Sequence, residues 1–164
     1  MSKPLLLLDV DGVLNPIGGG PPPGYTRQET NGFQVTWSTR HREWLKVLSS
    51  YFEMVWATTW EHQANESIGP LLGLPKLDVI EFTSPRHGDT WKLTDVKQFV
   101  GKRPCAWVDD ALFGDAQQWA DDRDAPTLIV RPSPSVGLTE AQASNLESFG
   151  RLLAEGAAGP GAIR

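Results

Sequence analysis

Cysteine is nearly absent from this 164-residue chain: Cys105 stands alone, so no disulfide can close within it. That suits a reducing compartment, and the apolar stretch around Cys105 marks it as a buried core thiol. Long hydrophobic runs are missing too. The only one near the N-terminus, Leu5–Leu8, is cut off by Asp9. A membrane span takes about 20 apolar residues and a secretory signal core about 7–15, so the expectation is a cytoplasmic protein with no membrane partner. Basic residues are in the minority, 15 Lys and Arg against 20 Asp and Glu, for a net charge of −5. This excludes a broad basic surface that holds nucleic acid by charge alone, while leaving room for a local basic groove. Of the three histidines, His62 and His87 are not spaced as metal ligands. No internal repeat and no interdomain linker is visible. The chain reads as one domain over residues 1–156, with a short loop and hairpin insertion at about 16–37 and a flexible tail at 157–164.

What is present is globular: 40% of residues are hydrophobic and 21% charged. Pro4 to Val10 is an apolar run ending in acid and reads as a buried strand. Residues 16–24 are mostly Gly and Pro and read as a loop, placed directly after that strand where a flap over a site would be. Phe33–Trp37 alternates like a hairpin strand. A helix follows from Ser38 or Thr39, with His41, Trp44, Leu45 and Leu48 on one face. Further strands are expected over Glu53–Thr58, Leu77–Phe82, Pro104–Val108 and Thr127–Val130. The expected helices cover Glu61–Ile68, Thr90–Val100 with Trp91, Val96 and Phe99 inward, Ala116–Ala120, and a last one from Thr139 with Ala143, Leu146, Phe149 and Leu153 inward. Strand and helix alternate five times. The fold class is therefore α/β, a doubly wound, mostly parallel five-stranded sheet with helices on both faces.

Three of these strands end in residues suited to one reaction. Counting the five sheet strands without the hairpin, the first runs into Asp9-Val10-Asp11-Gly12-Val13-Leu14-Asn15, the second into Thr58-Thr59, and the fourth into Asp109-Asp110. In an open parallel sheet, ligands bind beyond the carboxyl ends of the strands, so groups far apart in sequence converge there. Lys92, just before the fourth strand, can reach the same place, although Lys97 or Lys102 could substitute. Carboxylates gathered in one cleft repel each other unless a cation offsets them. A hard divalent ion with oxygen ligands does so, and Mg2+ is the usual choice where phosphate is the substrate. With the phosphate charge offset, a carboxylate can attack phosphorus, and a second can protonate the leaving oxygen and then activate water. Gly12 permits a tight backbone course beside the site, where amide groups can face phosphoryl oxygens. Taken singly, each feature has a plainer reading: a turn at Asp9-Val10-Asp11-Gly12, a helix cap at Asp109-Asp110, a solvated lysine.

Together and in this order, the residues resemble the haloacid dehalogenase-like (HAD) phosphatases. Asp9-Val10-Asp11-Gly12-Val13-Leu14-Asn15 looks like the first motif of that superfamily. Val55-Trp56-Ala57-Thr58 is similar to the second, Lys92 to the third, and Trp107-Val108-Asp109-Asp110 to the fourth. The resemblance implies Asp9 as nucleophile and metal ligand, and Asp11 as general acid/base that also binds metal through its backbone carbonyl. It implies Thr58 as a phosphoryl ligand, with Thr59 and Gly12 beside it, and Lys92 on the nucleophile and phosphate. Of the acidic pair, Asp110 is the preferred direct metal ligand, with Asp109 close behind. Asp115 comes third, orienting a metal-bound water or Lys92. It also implies a central sheet with the Asp9 strand in the middle.

Neither gap between motifs is long enough for the large cap domain of many relatives. The site is therefore expected to be open, as in the polynucleotide phosphatase domains of nucleic-acid repair proteins. Arg40, Arg42, Lys46, Arg86 and His87 can form a local basic rim, or simply a solvated face. Trp60, two residues past Thr58, either packs at the lip or stacks on a substrate base. The expected activity is a phosphomonoesterase acting on a phosphorylated substrate, nucleic-acid ends among the candidates. Small metabolites or nucleotides are the alternative, and a non-catalytic HAD-fold binding module is the alternative of another class. Halide hydrolysis needs no metal and no leaving-group acid, so Asp11 and the acidic pair speak against it.

Overall fold

The computed structural model describes residues 2–158. Four strands, β1 (Leu5–Leu8), β4 (Glu53–Trp56), β6 (Cys105–Val108) and β7 (Thr127–Val130), join a short edge strand β5 (Asp78–Val79) in one sheet of order β5-β4-β1-β6-β7. Every pairing in it is parallel. β1 lies in the middle, and all four of its leucines are fully buried. A strand buried on both faces reads as an unbroken apolar run.

Alternate residues feed two separate cores. Leu6, Leu8, Met54, Trp56, Ala106 and Val108 face one side, where they meet Leu45 and Leu48 of α1 (Thr39–Leu48) and Leu146 of α5 (Glu140–Ala158). Leu5, Leu7, Val55, Ala57, Cys105 and Trp107 face the other, against Val96 and Val100 of α3 (Leu93–Val100) and Ala116 of α4 (Gly114–Asp122). The period-2 geometry of strands makes this split. Burying each leucine contributes about 1.5–3 kcal/mol, so the sheet centre is the most strongly held part of the chain. The outcome is the expected doubly wound α/β sandwich, without a cap domain.

The insertion after β1 is a hairpin, β2 (Thr26–Thr30) with β3 (Phe33–Trp37). Its turn is Asn31-Gly32, both with positive φ (49° and 85°). Asn-Gly favours this two-residue hairpin turn because both central residues need that region. The Asn31 side chain donates to Glu66 O and Ser67 Oγ, so the tip is tied to α2 (Gln63–Ser67). The Gly/Pro loop before the hairpin is anchored at its ends: Ile17 N donates to Pro134 O, and the Tyr25 hydroxyl to Val136 O.

Some boundaries differ from expectation. The strand expected over Leu77–Phe82 shrinks to Asp78–Val79 because its flanking amides bond to side chains: Leu77 N to Asn65 Oδ1 and Phe82 N to Glu61 Oε2. The helix expected from Glu61 starts at Gln63, since Glu61, with φ 48°, belongs to a turn after Thr58. α3 starts at Leu93 rather than Thr90. Phe99, expected inward, is 39% exposed, because Val96 and Val100 take the buried stripe. Trp44 and Trp91, expected on inward helical faces, are half-buried, as is Trp119, while Trp107 is fully buried. α5 continues two residues past the expected end of the domain, to Ala158. The rest of the tail expected to be flexible, 159–164, lies outside the described residues.

Candidate active site

The carboxyl ends of β1, β4 and β6 lie side by side because those strands are parallel and adjacent, with Leu8 in register with both Trp56 and Val108. The next residues on each strand therefore emerge together: Asp9 from β1, Thr58 from β4, and Asp109 and Asp110 from β6. Lys92 enters from the turn before α3. Asp9, Thr58, Lys92 and Asp109 are all buried, while Thr59 is exposed. Lys97 and Lys102 are exposed, so Lys92 is the lysine that reaches the cluster.

Lys92 Nζ makes three contacts: 2.6 Å to Asp109 Oδ2, 3.1 Å to the Ala57 carbonyl and 3.3 Å to Asp9 Oδ1. These use the three donors of an ammonium. Burial disfavours its charge, but Asp9 and Asp109 outweigh that and hold Lys92 above its ordinary pKa. Asp9 Oδ1 also accepts the Val10 amide at 2.8 Å. Burial nonetheless pushes Asp9 up to about 7 against the pull of Lys92, with repulsion from Asp109 adding to the rise. Asp110 is raised as well, by burial and then by Asp109.

Asp9, Asp109 and Asp110 each offer a carboxylate oxygen, all within 4.8 Å of one another. Three acids against one lysine leave the cleft short of positive charge, which adds to the burial that raises Asp9 and Asp110. An all-oxygen donor set with uncompensated negative charge fits a hard divalent cation such as Mg2+. Within this set Asp109 is already engaged, one oxygen by Lys92 and the other by the Ala111 amide at 2.8 Å. The Asp11 carboxylate is not in the set. It turns instead to Asn15, whose Nδ2 donates to Asp11 Oδ1 at 2.9 Å.

Gly12 has φ 79°, and a Cβ there would lie 2.5 Å from Asp110 Cγ. The Asp110 carboxylate therefore fills the place that a side chain at residue 12 would need. The Gly12 amide is committed within the turn, donating to Asn15 O at 2.8 Å. Thr58 Oγ1 accepts the Trp60 amide at 3.2 Å. Asp115 lies one layer back: it takes the Thr90 hydroxyl at 2.6 Å and the Thr90 amide at 2.9 Å, bracing the turn that delivers Lys92.

A family model described as "HAD domain in Swiss Army Knife RNA repair proteins" matches residues 5–143. The chain belongs to this family. No curated protein and no solved structure matches it. All the residues converging at the strand ends fall within the HAD match. Membership supports a hydrolase of the HAD phosphatase type, a class that generally uses Mg2+. Among the described residues, no helix is long and apolar enough to cross a membrane.

Around the HAD site, the suggested basic rim divides. Arg40 pairs with Glu140 and Arg42 donates to Leu71 O, so both are committed along the α1 side. Arg86 is exposed and stacks 4.1 Å over the Trp91 ring, next to Lys92 in sequence. Phe33 at the hairpin tip meets Trp60, ring centroids 4.9 Å apart. These two border an open groove with Thr59 and Gln63. Sequence reasoning assigned no role to Asn15, Phe33 or the Ala57 carbonyl. The four-residue spacing of Asp11 and Asn15 was a usable signal; nothing in the sequence points to a backbone carbonyl.

Proposed function

We propose that the protein is a magnesium-dependent phosphomonoesterase that works through an aspartyl-phosphate on Asp9 and takes phosphorylated RNA ends. The observation that carries this reading is the Lys92 ammonium held between Asp9 and Asp109 at the ends of adjacent strands, with Asp11 free of that cluster. A nucleophile needs its charge near the phosphorus. A general acid needs a separate environment, or the two would titrate as one pair.

Asp9 and Asp110 would hold the cation, with Asp109 and the Asp11 backbone carbonyl nearby. Bound there, Mg2+ offsets the negative charge of the carboxylates and of the phosphoryl oxygens. The chain's own groups do the rest. Thr58 and Lys92 bind and orient the phosphoryl group. Asp9 Oδ attacks phosphorus, forming an acyl-phosphate bond, and the ester P–O bond breaks. Asp11 gives its proton to the leaving oxygen. Asp11, now a carboxylate, takes a proton from water, which attacks phosphorus and cleaves the acyl phosphate to restore Asp9.

The RNA-end reading rests on the family's description and on the open site, which has no cap to enclose a small ester. Arg86 with Trp91, and Phe33 with Trp60, offer a cation and stacking faces to an extended strand. Assay against end-phosphorylated oligonucleotides and a panel of phosphorylated metabolites, with and without Mg2+, tests it. Asp9→Asn should abolish turnover, while Asp11→Asn should lose about 10²–10⁴-fold and accumulate phospho-enzyme with a good leaving group. Full activity in Asp9→Asn would reject covalent catalysis. A preference for metabolites would favour a small-molecule phosphatase, and no turnover of any ester would favour a binding module.

A further inference from the structure

We propose that Asn15 is a positioning residue for catalysis: its side-chain amide aims the Asp11 carboxylate and fastens it to the β2–β3 hairpin. The proposal rests on the phosphatase reading of the site.

Asn15 is buried, and both ends of its amide are used. Oδ1 accepts the Thr36 backbone amide at 2.8 Å, and Nδ2 donates to Asp11 Oδ1 at 2.9 Å. Which end of an Asn side chain is oxygen is assigned from its partners. Here the assignment is forced, because a backbone N–H can only donate and so faces Oδ1. The NH2 group is left facing Asp11. A backbone bond from Gly12 N to Asn15 O closes the same turn, so Asn15 cannot drift from Asp11 without unmaking it.

The chemistry suits a group that must give up and regain a proton. Asn Nδ2 holds Asp11 by Oδ1 and leaves Oδ2 for the proton transfers. An acid in place of Asn15 would repel Asp11. The other half of the amide reaches Thr36 in β3, a strand whose Phe33 end meets Trp60 at the lip of the site. The hairpin that frames the groove and the acid that protonates the leaving group therefore share one side chain.

Asn15→Asp separates the two halves. It keeps an oxygen to accept the Thr36 amide, and in place of the donor to Asp11 it puts an acceptor that repels the carboxylate, so Asp11 loses its aim. The rate of phospho-enzyme formation would be measured in a single turnover for two esters, an aryl phosphate with a good leaving group and an alkyl phosphate with a poor one. Misaiming the acid should slow the alkyl ester by about 10- to 100-fold and leave the aryl ester within a few-fold, because a good leaving group needs little protonation. KM should stay near the wild-type value, and Asn15→Gln, which restores the NH2 group, should recover part of the loss. Thermal melts would show that each variant is folded. An equal loss on both esters, or one confined to KM, would overturn the proposal and leave Asn15 a structural tie. If the wild type forms no phospho-enzyme from either ester, the phosphatase reading itself fails, and the proposal with it.

Discussion

Lys92 Nζ lies 2.6 Å from Asp109 Oδ2, a buried ion pair that also spans to Asp9. Removing one partner of such a pair leaves an uncompensated charge and costs about 3–5 kcal/mol. Lys92→Met, similar in length and uncharged, should therefore lower the melting temperature markedly in chelator. Mg2+ should restore much of the stability, since it supplies the missing positive charge, but not turnover, since the phosphoryl group loses its ammonium. Calorimetric melts with and without Mg2+, beside an activity assay, measure both. If stability in chelator is unchanged, the pair is not what holds the acids together.

The raised Asp9 makes a prediction about pH. Its carboxyl sits at about 7 in the folded chain against an ordinary 3.8. Between these values the folded chain holds a proton that the unfolded chain has released. Stability from this group is thus fully present below about 4 and is lost as pH rises to about 7. Asp110 is raised too and pulls the same way. Without metal, the melting temperature should fall across this window more steeply in wild type than in Asp9→Asn. Saturating Mg2+ favours the charged carboxylates and should flatten the wild-type slope. Matching slopes in wild type and Asp9→Asn, both without metal, would show that Asp9 does not titrate there.

Gly12 gives a structural test of the metal site. A Cβ at this position meets Asp110 Cγ at 2.5 Å, on a backbone with φ 79°. Gly12→Ala should cost about 1–2 kcal/mol from the left-handed backbone alone. It should also push Asp110 aside and weaken Mg2+ binding, read by titration calorimetry, by more than the stability change accounts for. Unaltered Mg2+ affinity would remove Asp110 from the ligand set.

Much of this site was legible because strands buried on both faces announce themselves. β1 and β6 are unbroken apolar runs and β4 is apolar after Glu53, and the acids and threonine that follow these three stand out against them. What was hidden depends on contacts across the chain. β5 is short because Asn65 and Glu61 intercept its flanking amides, 12 and 21 residues away. Lys92 differs from Lys97 and Lys102 only in burial, which no spacing reveals. Asn15 stood in the first motif, but its bond to Thr36 spans 21 residues and depends on where the hairpin docks. Phe99 was misplaced because three apolar residues at helical spacing competed for a stripe that only Val96 and Val100 fill.

The last prediction concerns substrate size. Phe33 and Trp60 meet at 4.9 Å, tilted by 55°, beside the exposed Thr59 and one residue beyond it from the buried Thr58. Consecutive Cα atoms are about 3.8 Å apart, so an aromatic face two residues from Thr58, the proposed phosphoryl ligand, is within a nucleotide's reach. Without a cap, the grip on substrate has to come from groups at the lip, and a longer strand can spend remote binding energy there. An end-phosphorylated oligonucleotide should therefore show a higher kcat/KM than the matching mononucleotide. Trp60→Ala should reduce that advantage by about 1–3 kcal/mol, the worth of one base stacked on an aromatic ring. Phe33→Ala, which removes the exposed partner without touching the β4 turn, should do the same to a smaller degree. Steady-state kinetics of the two substrates on the three proteins decide it. Equal efficiency on both substrates, unmoved by either variant, would reject the stacking groove and with it the preference for RNA ends.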